Sequence, residues 1–254
     1  VEFPAPADGD PAAWNPGPEQ IAAFGRADLI LLNGAGYATW IAAAGLREDT
    51  LVDTSAGFAD QIIVTDEEKH SHGPGGEHSH SEATAFTTWL DPRLAIAHAG
   101  AIRDALSASR PDASVDFEAG FTMLSRELEA LDRDFTEIFA SLGDIPVVFS
   151  HPVYQYLERR YGINAISVHW EPDDIPDDNQ LTALANKLVS YPAELMIWEG
   201  KPMPESVDAL AMMGVESAAL APCANRPESG DYMSVMRDNI SNMRAALDLE
   251  VTTD

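Results

Sequence analysis

The second half of the chain alternates short apolar segments with helical ones, and this alternation constrains the fold more than any other feature. Apolar segments at 145–150, 164–170 and 193–199 are each followed by a stretch with helical spacing, and a fourth begins at Val215. Such alternation is typical of parallel strands joined by helices that cover the faces of the sheet. We therefore expect an α/β fold, with parallel sheet flanked by helices.

A long amphipathic helix is predicted in the middle of the chain. Apolar residues recur at alternating steps of four and three from Phe117 to Leu142, which marks one face of a helix that starts near Asp112. At 1.5 Å per residue it is roughly 40 Å long. It could join two lobes or belong to a single-lobe bundle. The two-lobe interpretation divides the chain into an N-terminal α/β lobe at 1–112, a linking helix at 113–142 and a C-terminal α/β lobe at 143–254.

The net charge narrows the classes of partner. The 254 residues carry 15 Lys and Arg against 42 Asp and Glu, a formal net charge of −27. A polyanion is repelled by nucleic acid and by anionic membrane surfaces, so we expect no nucleic-acid partner, whereas cations are favoured. The simplest cause of the overall charge is a solvated acidic surface.

The sequence shows no pattern typical of a membrane-spanning segment or an export leader, and it has no second cysteine. The absence of a run of about 18 apolar residues predicts that no segment spans a membrane. No charged-then-apolar leader opens the chain, so it starts as a cytosolic protein would, or as a mature exported one does. The single cysteine, Cys223, excludes an intrachain disulfide and a metal site made only of thiolates.

Three chemically active side chains come at the ends of predicted strands. They are His151, His169 and Glu199, from consecutive strand–helix units. Parallel α/β sheets bind ligands at the carboxyl ends of their strands. Pro152 suits the first helical position, so we expect His151 at a helix N-terminus, where the ring is kept neutral. Two imidazoles and a carboxylate suit zinc, or less specifically manganese, iron, nickel or copper.

Structural roles remain open for the same residues. His151 could cap backbone groups, His169 could pack at a rim, and Glu199 could pair with Arg159 or Arg160. A further histidine, His98, lies on a helix of small residues and is expected to pack or to face solvent.

A histidine-rich loop, KHSHGPGGEHSHSE, occupies Lys69–Glu82. Its histidines are two His-x-His pairs, and in an extended chain both rings of such a pair lie on one side, where they can chelate one ion. The glycines and polar flanks also fit a surface tether. The candidate ligands in the loop are His70, His72, His78 and His80.

The chain resembles the metal-binding solute-binding proteins of bacterial zinc and manganese ABC importers, the ZnuA/TroA type. The resemblance covers nearly the whole chain. It is strongest where WLDP is followed some sixty residues later by HPVYQYLERRYG. The matching segments are DPAAWNPGPEQ, ADLILLNGAGYATWI, the His-rich loop, TTWLDPRLA, the long helix, HPVYQYLERRYGI, MIWEGKPMPESVDALAMMGV and DYMSVMRDNISNMRAAL.

This resemblance implies two α/β lobes joined by one rigid helix, with a metal in the cleft between them. It also implies an exported, periplasmic, monomeric protein that captures a divalent metal, most simply zinc, and delivers it to a membrane permease. His151 and Glu199 match ligand positions of the family. The chain also begins about one βα unit later than is usual there.

Three ligand positions of the family are changed in this chain. Ala12 and Thr87 stand where histidines are usual, and Ala221 stands where an acidic residue is often found. The cleft would then be completed by His169 or by histidines of the loop.

Two other functions remain open. The same fold could bind a small organic ligand or a metal chelate, or act as a periplasmic metallochaperone, with Trp14, Thr87, Trp89 and Trp198 lining a pocket. A metallohydrolase is the remote alternative, since a metal-bound water can serve as nucleophile. Motifs HExxH, GxSxG and GxxxxGK[ST] are absent, and we expect the protein not to be an enzyme.

Overall fold

The computed structural model describes residues 1–6, 11–65 and 83–249. The chain forms two compact units, Val1–Arg126 and Glu127–Asp254. Both are α/β, as predicted. In the described residues, no helix is long and apolar enough to cross a membrane.

The first unit is built around short strands. The strands β1 (Ile30–Leu32) and β2 (Leu51–Asp53) pair in parallel, and β3 (Val64–Thr65) and β4 (Ala83–Thr84) pair antiparallel. After the glycine turn at Gly34, the chain forms only a short 3₁₀ helix, Thr39–Ala43. In chain order, the helices and strands of this unit are α1 (Pro18–Phe24), β1 (Ile30–Leu32), β2 (Leu51–Asp53), β3 (Val64–Thr65), β4 (Ala83–Thr84) and α2 (Pro92–Ser109).

A buried histidine joins the elements of this unit. His98 of α2 is 8% exposed and lies between the hydroxyls of Thr54 and Thr88, with Nδ1 and Nε2 at 2.6 and 2.8 Å. Since Thr54 already donates its proton to the Leu32 carbonyl, Nδ1 of His98 donates to Thr54 and Nε2 accepts from Thr88. Burial lowers the pKa of His98 to about 4, although the charge of Asp53 opposes the shift. The ring is therefore neutral at pH 7. Of the two roles expected for His98, packing and facing solvent, the structure shows packing.

The long helix, α3 (Ser114–Leu142), has 29 residues and carries the boundary between the two units. Its second half buries the expected stripe, including Leu128, Leu131 and Phe135. Its first half does not, since Leu124 is 38% exposed and Phe117 and Phe121 are only partly buried. The regular spacing predicts a helix correctly but does not show how far along it the burial extends.

The second unit contains a four-stranded parallel sheet. The strand order is β6 (Ala165–Ser167), β5 (Val147–Phe149), β7 (Leu195–Trp198) and β8 (Glu216–Ala219). The strands β5 and β7 are therefore internal, and β6 and β8 are edges. Each strand is followed by a helix, as predicted, and register pairs Val148 with both Ile166 and Met196. In chain order, the elements are β5 (Val147–Phe149), α4 (Gln155–Tyr161), β6 (Ala165–Ser167), α5 (Asp178–Ser190), β7 (Leu195–Trp198), α6 (Pro204–Ala211), β8 (Glu216–Ala219) and α7 (Tyr232–Ala246).

The sheet is held by an apolar core and by a mostly buried arginine–aspartate ion pair. Val148, Met196 and Trp198 of the sheet are fully buried in one cluster. Arg160 of α4 makes a bidentate ion pair with Asp132 of α3, at 3.0 and 2.6 Å. Both side chains are mostly buried, so this pair fixes α4 against the second half of α3.

Candidate metal centre

Three adjacent strands of the second unit end at one group of side chains. His151 follows β5, Glu171 follows β6, and Glu199 directly follows β7. Because the strands are parallel, their carboxyl ends meet at one edge of the sheet. The parallel sheet therefore brings together side chains that are far apart in the sequence, since His151 and Glu199 are separated by 48 positions.

Ser150 ties the three loops together. Its side chain is fully buried. Its backbone N–H donates to Ile197, and its carbonyl accepts from the N–H of Trp170, at 2.9 and 2.8 Å. Its hydroxyl accepts from the N–H of Glu199 at 3.3 Å. One residue therefore fixes the backbone next to all three side chains of the group.

The donor atoms of the group are close to one another. His151 Nδ1 lies 3.3 Å from Glu199 Oε1 and 3.5 Å from Glu171 Oε1. One ligand atom from each of the three residues lies within 4.8 Å of the others. The side chains of His151 and Glu199 are 29% and 19% exposed, and that of Glu171 is 52% exposed. The group is thus half-buried and open to solvent on the side of Glu171.

The electrostatics of the group favour a cation. Partial burial and the neighbouring Glu199 carboxylate raise the pKa of Glu171, while His151 opposes the shift. Beneath the group, Tyr154 is buried and donates its hydroxyl to the Leu220 carbonyl at 2.7 Å. Burial and the charge of Glu199 raise the pKa of Tyr154 well above its ordinary value. Negative charge held this close together is relieved by a bound cation.

The helix predicted to begin at Pro152 does not begin there. Residues 151–153 form a turn in which the Val153 N–H donates to the His151 carbonyl at 2.9 Å, and α4 begins at Gln155. The prediction of His151 at a helix N-terminus is therefore wrong. Its position at the strand end comes from β5 and Ser150 instead.

The other predicted residues of this unit have different surroundings. His169 is exposed, and its ring lies 5.4 Å from that of His151 in an edge-on arrangement. Arg160 pairs with Asp132, and Arg159 lies over the ring of Tyr156, while Glu199 contacts His151.

The predicted pocket-lining residues pack with neighbours. Trp198 is fully buried, and its indole N–H donates to Ser217 at 3.3 Å, so its prediction as a pocket-lining residue is wrong: a side chain on the inner face of a central strand belongs to the core. In the first unit, Trp14 packs on Phe24 and Trp40, and Trp89 packs edge-on with Tyr37.

Two positions at which the resemblance implies lost ligands, Thr87 and Ala12, lie in the first unit. Thr87 is 4% exposed and precedes the 3₁₀ helix Thr88–Leu90, and Ala12 lies in a turn. The predicted loop ligands His70, His72, His78 and His80 lie outside the described residues.

Sequence reasoning missed Glu171 as a member of the group. The signal was present, because Glu171 is two residues beyond His169 and follows the same predicted strand. The backbone turns after β6, so the residue expected at the strand end, His169, is beside the group and Glu171 is in it.

Comparison with known proteins agrees with this architecture. The model of the family "Zinc-uptake complex component A periplasmic" (ZnuA) matches residues 1–246. The chain belongs to the ZnuA family. The resemblance noted in the sequence is thereby confirmed.

Two relatives of this ZnuA-family chain are proteins of Streptococcus pneumoniae and Bacillus subtilis. The zinc-binding lipoprotein AdcA of Streptococcus pneumoniae is 26% identical over 263 residues, which cover 98% of this chain and 52% of AdcA. The high-affinity zinc uptake system protein ZnuA of Bacillus subtilis is 24% identical over 258 residues, covering 97% of this chain and 80% of that protein. The chain thus spans about half the length of AdcA and four fifths of the Bacillus protein.

Solved structures have the same fold. The metal-dependent lipoprotein YcdH of Bacillus subtilis has a TM-score of 0.79 at 19% identity, covering 97% of this chain and 90% of that one. The Zn(II)-bound ZnuA-like domain of Streptococcus pneumoniae AdcA has a TM-score of 0.76 at 22% identity, covering 95% and 88%. At these identities the likeness establishes the two-lobed α/β fold.

Proposed function

We propose that this chain is the solute-binding component of an ABC importer, and that it captures a divalent metal ion, zinc foremost, for delivery to a membrane permease. His151 and Glu199 are the anchoring ligands. Relatives named for zinc binding and zinc uptake support the proposal. The family comprises metal-binding components of transport systems, which are not an enzyme class.

One observation carries the assignment of the site. An imidazole nitrogen and a carboxylate oxygen lie 3.3 Å apart at the ends of two neighbouring strands, His151 on β5 and Glu199 on β7. Imidazole and carboxylate are both ordinary zinc ligands. Both side chains are mostly buried, so their positions are set before a metal arrives.

Location and partners follow from the proposed role. The protein acts outside the cytoplasmic membrane, in the periplasm or its equivalent, as a monomer whose partners are the metal and the permease. Nucleic acid is not a partner, because the net charge of −27 repels phosphates. We also propose the division of labour drawn from the sequence, with lobes at 1–112 and 143–254 and a linking segment at 113–142.

The test is a zinc titration of the intact chain and its variants, by calorimetry with a competing chelator. We expect His151→Ala and Glu199→Gln each to weaken zinc binding by roughly 100-fold. Replacing a residue that only hydrogen-bonds to a metal ligand already lowers metal affinity by about 10- to 100-fold. The matched control is Glu216→Gln, which removes the same charge from the amino end of β8 in the same sheet. Unchanged tight binding in His151→Ala would refute the site, and no binding by the intact chain would favour an organic ligand.

The role of the loop histidines requires a separate experiment. In one variant, Asn replaces all four loop histidines, which are His70, His72, His78 and His80. The substitution His169→Ala is made both in the intact chain and in this variant, to test whether His169 contributes to the tight site. If the loop only supplies metal to the site, the four-fold variant keeps the tight site and loses weaker ones. If the loop completes the site, the affinity of the tight site falls as well.

A further inference from the structure

We propose that Glu171 is a third metal ligand, so that the second unit holds the ion through two carboxylates and one imidazole, a donor set that accepts manganese as well as zinc. This inference rests on the proposed function. It goes beyond it by naming a ligand that the sequence did not predict and the class of cation that the site selects.

The distances suit a shared ion. His151 Nδ1 is 3.5 Å from Glu171 Oε1 and 3.3 Å from Glu199 Oε1. Two ligand atoms each about 2.1 Å from a tetrahedral metal lie roughly 3.4 Å apart. The distances from Nδ1 to both carboxylates thus match the distance between two ligand atoms of one tetrahedral metal ion. Glu171 meets this condition as well as Glu199 does.

The backbone holds Glu171 on both sides. Before it, the Trp170 N–H donates to the Ser150 carbonyl at 2.8 Å, next to His151. After it, the carbonyl of Pro172 accepts from the Met203 N–H at 2.9 Å, in the segment that follows Glu199. A side chain at Gly200 would meet the ring of Pro172 at 3.2 Å, so the two segments pack closely. The loop that carries Glu171 is therefore attached to both of the other ligand loops.

The fourth strand end does not offer a donor at the corresponding position. Ala221 lies beyond β8, and its peptide is bound on both sides by Asn239, whose amide exchanges two hydrogen bonds of 2.8 Å with it. Asn239 is itself 2% exposed. The sheet thus supplies its second carboxylate from the opposite edge, through β6.

The donor set determines the class of cation. Carboxylate oxygens suit manganese and other hard cations, whereas imidazole suits zinc, copper, iron and nickel. Removing a carboxylate should therefore weaken manganese more than zinc, and removing the imidazole should do the reverse. Selectivity then depends on which of the three ligands is lost.

The experiment measures zinc and manganese affinities of Glu171→Gln, in the full chain with the four loop histidines replaced by Asn. We expect zinc binding to weaken roughly tenfold and manganese binding to weaken more, so that the ratio of zinc to manganese affinity rises. The matched control is Asp173→Asn, an exposed acid two residues away in the same loop, which makes the same charge change. We expect it to change either affinity by less than about threefold.

The outcomes separate this inference from the proposed function. If His151→Ala weakens zinc binding by roughly 100-fold while Glu171→Gln and Asp173→Asn leave the zinc and manganese affinities unchanged, the third ligand is overturned and the metal site stands. Equal losses in Glu171→Gln and Asp173→Asn would also overturn it, since charge alone would explain them. If the intact chain binds neither metal, the proposed function itself fails. Glu171 is half-exposed, so its replacement leaves the fold intact, which circular dichroism of each variant checks.

Discussion

Two histidines, His98 in the first unit and His151 in the second, lie near the carboxyl ends of parallel strands and differ in almost every other respect. His98 is buried between two threonine hydroxyls that use both of its nitrogens. His151 is 29% exposed and faces two carboxylates. The residue type is the same, so the neighbouring groups decide the role: hydroxyls make His98 a structural link, and carboxylates make His151 a candidate ligand.

The largest expected effect is on stability, from His98→Ala. The change leaves a cavity and two buried hydroxyls that lose a partner, so we expect the free energy of unfolding of the first unit to fall by about 3 kcal/mol. Zinc affinity, measured where the variant is fully folded, should stay unchanged. Urea unfolding together with zinc titration checks both. A fall in stability as large in His151→Ala would erase the contrast between the two histidines.

The next prediction concerns pH and sharpens the same contrast. The pKa of His98 is about 4 in the folded chain and about 6.5 in the unfolded one, so between these values the unfolded chain binds more protons. The stability contributed by neutral His98 is complete above about pH 6.5 and is lost progressively as the pH falls toward 4, by about 3 kcal/mol in total.

Hydrogen exchange of the α2 amides between pH 4 and 7 measures this effect, after correction for the intrinsic exchange rate. The control is His98→Asn, which cannot titrate. A pH dependence that persists in His98→Asn would assign the effect to other groups, such as Asp53, whose charge raises the pKa of His98.

The smallest predicted effect is that of Ser150→Ala on the metal site. The hydroxyl of Ser150 accepts from the N–H of Glu199 at 3.3 Å, a long hydrogen bond that helps to orient the loop that carries this candidate ligand. Its loss should weaken zinc binding roughly tenfold. The free energy of unfolding should fall by about 1 kcal/mol, because a buried hydrogen bond is lost. Calorimetric titration beside thermal unfolding separates the two, and a stability loss without loss of affinity would show that Ser150 only packs.

Much of the second unit could be predicted from the sequence, because short apolar strands and helices alternate in it without interruption. The same reasoning placed His151 and Glu199 at strand ends, where the structure has them. It failed at Pro152, since a proline after a strand also suits a turn, and at Trp198, since an aromatic residue at a strand end does not reveal which face it is on. It missed Glu171 because the path of the backbone after β6 depends on the contacts of Trp170 and Pro172, which have no signature in the sequence.

The first unit was harder to predict. Its strands have two or three residues, and the partners of His98 come from segments 44 and 10 positions away. Hydroxyl-bearing residues at these positions look like surface residues in the sequence. Only the tertiary arrangement brings them around one imidazole.

The position of β6 at the edge of the four-stranded sheet has an evolutionary consequence. His151 and Glu199 follow internal strands, where a change in length would disturb neighbours on both sides. Glu171 follows an edge strand and precedes an exposed acidic loop, where insertions and substitutions meet less resistance. We expect related chains to vary most at this third position of the group, while the positions of His151 and Glu199 and the rest of the sheet stay the same.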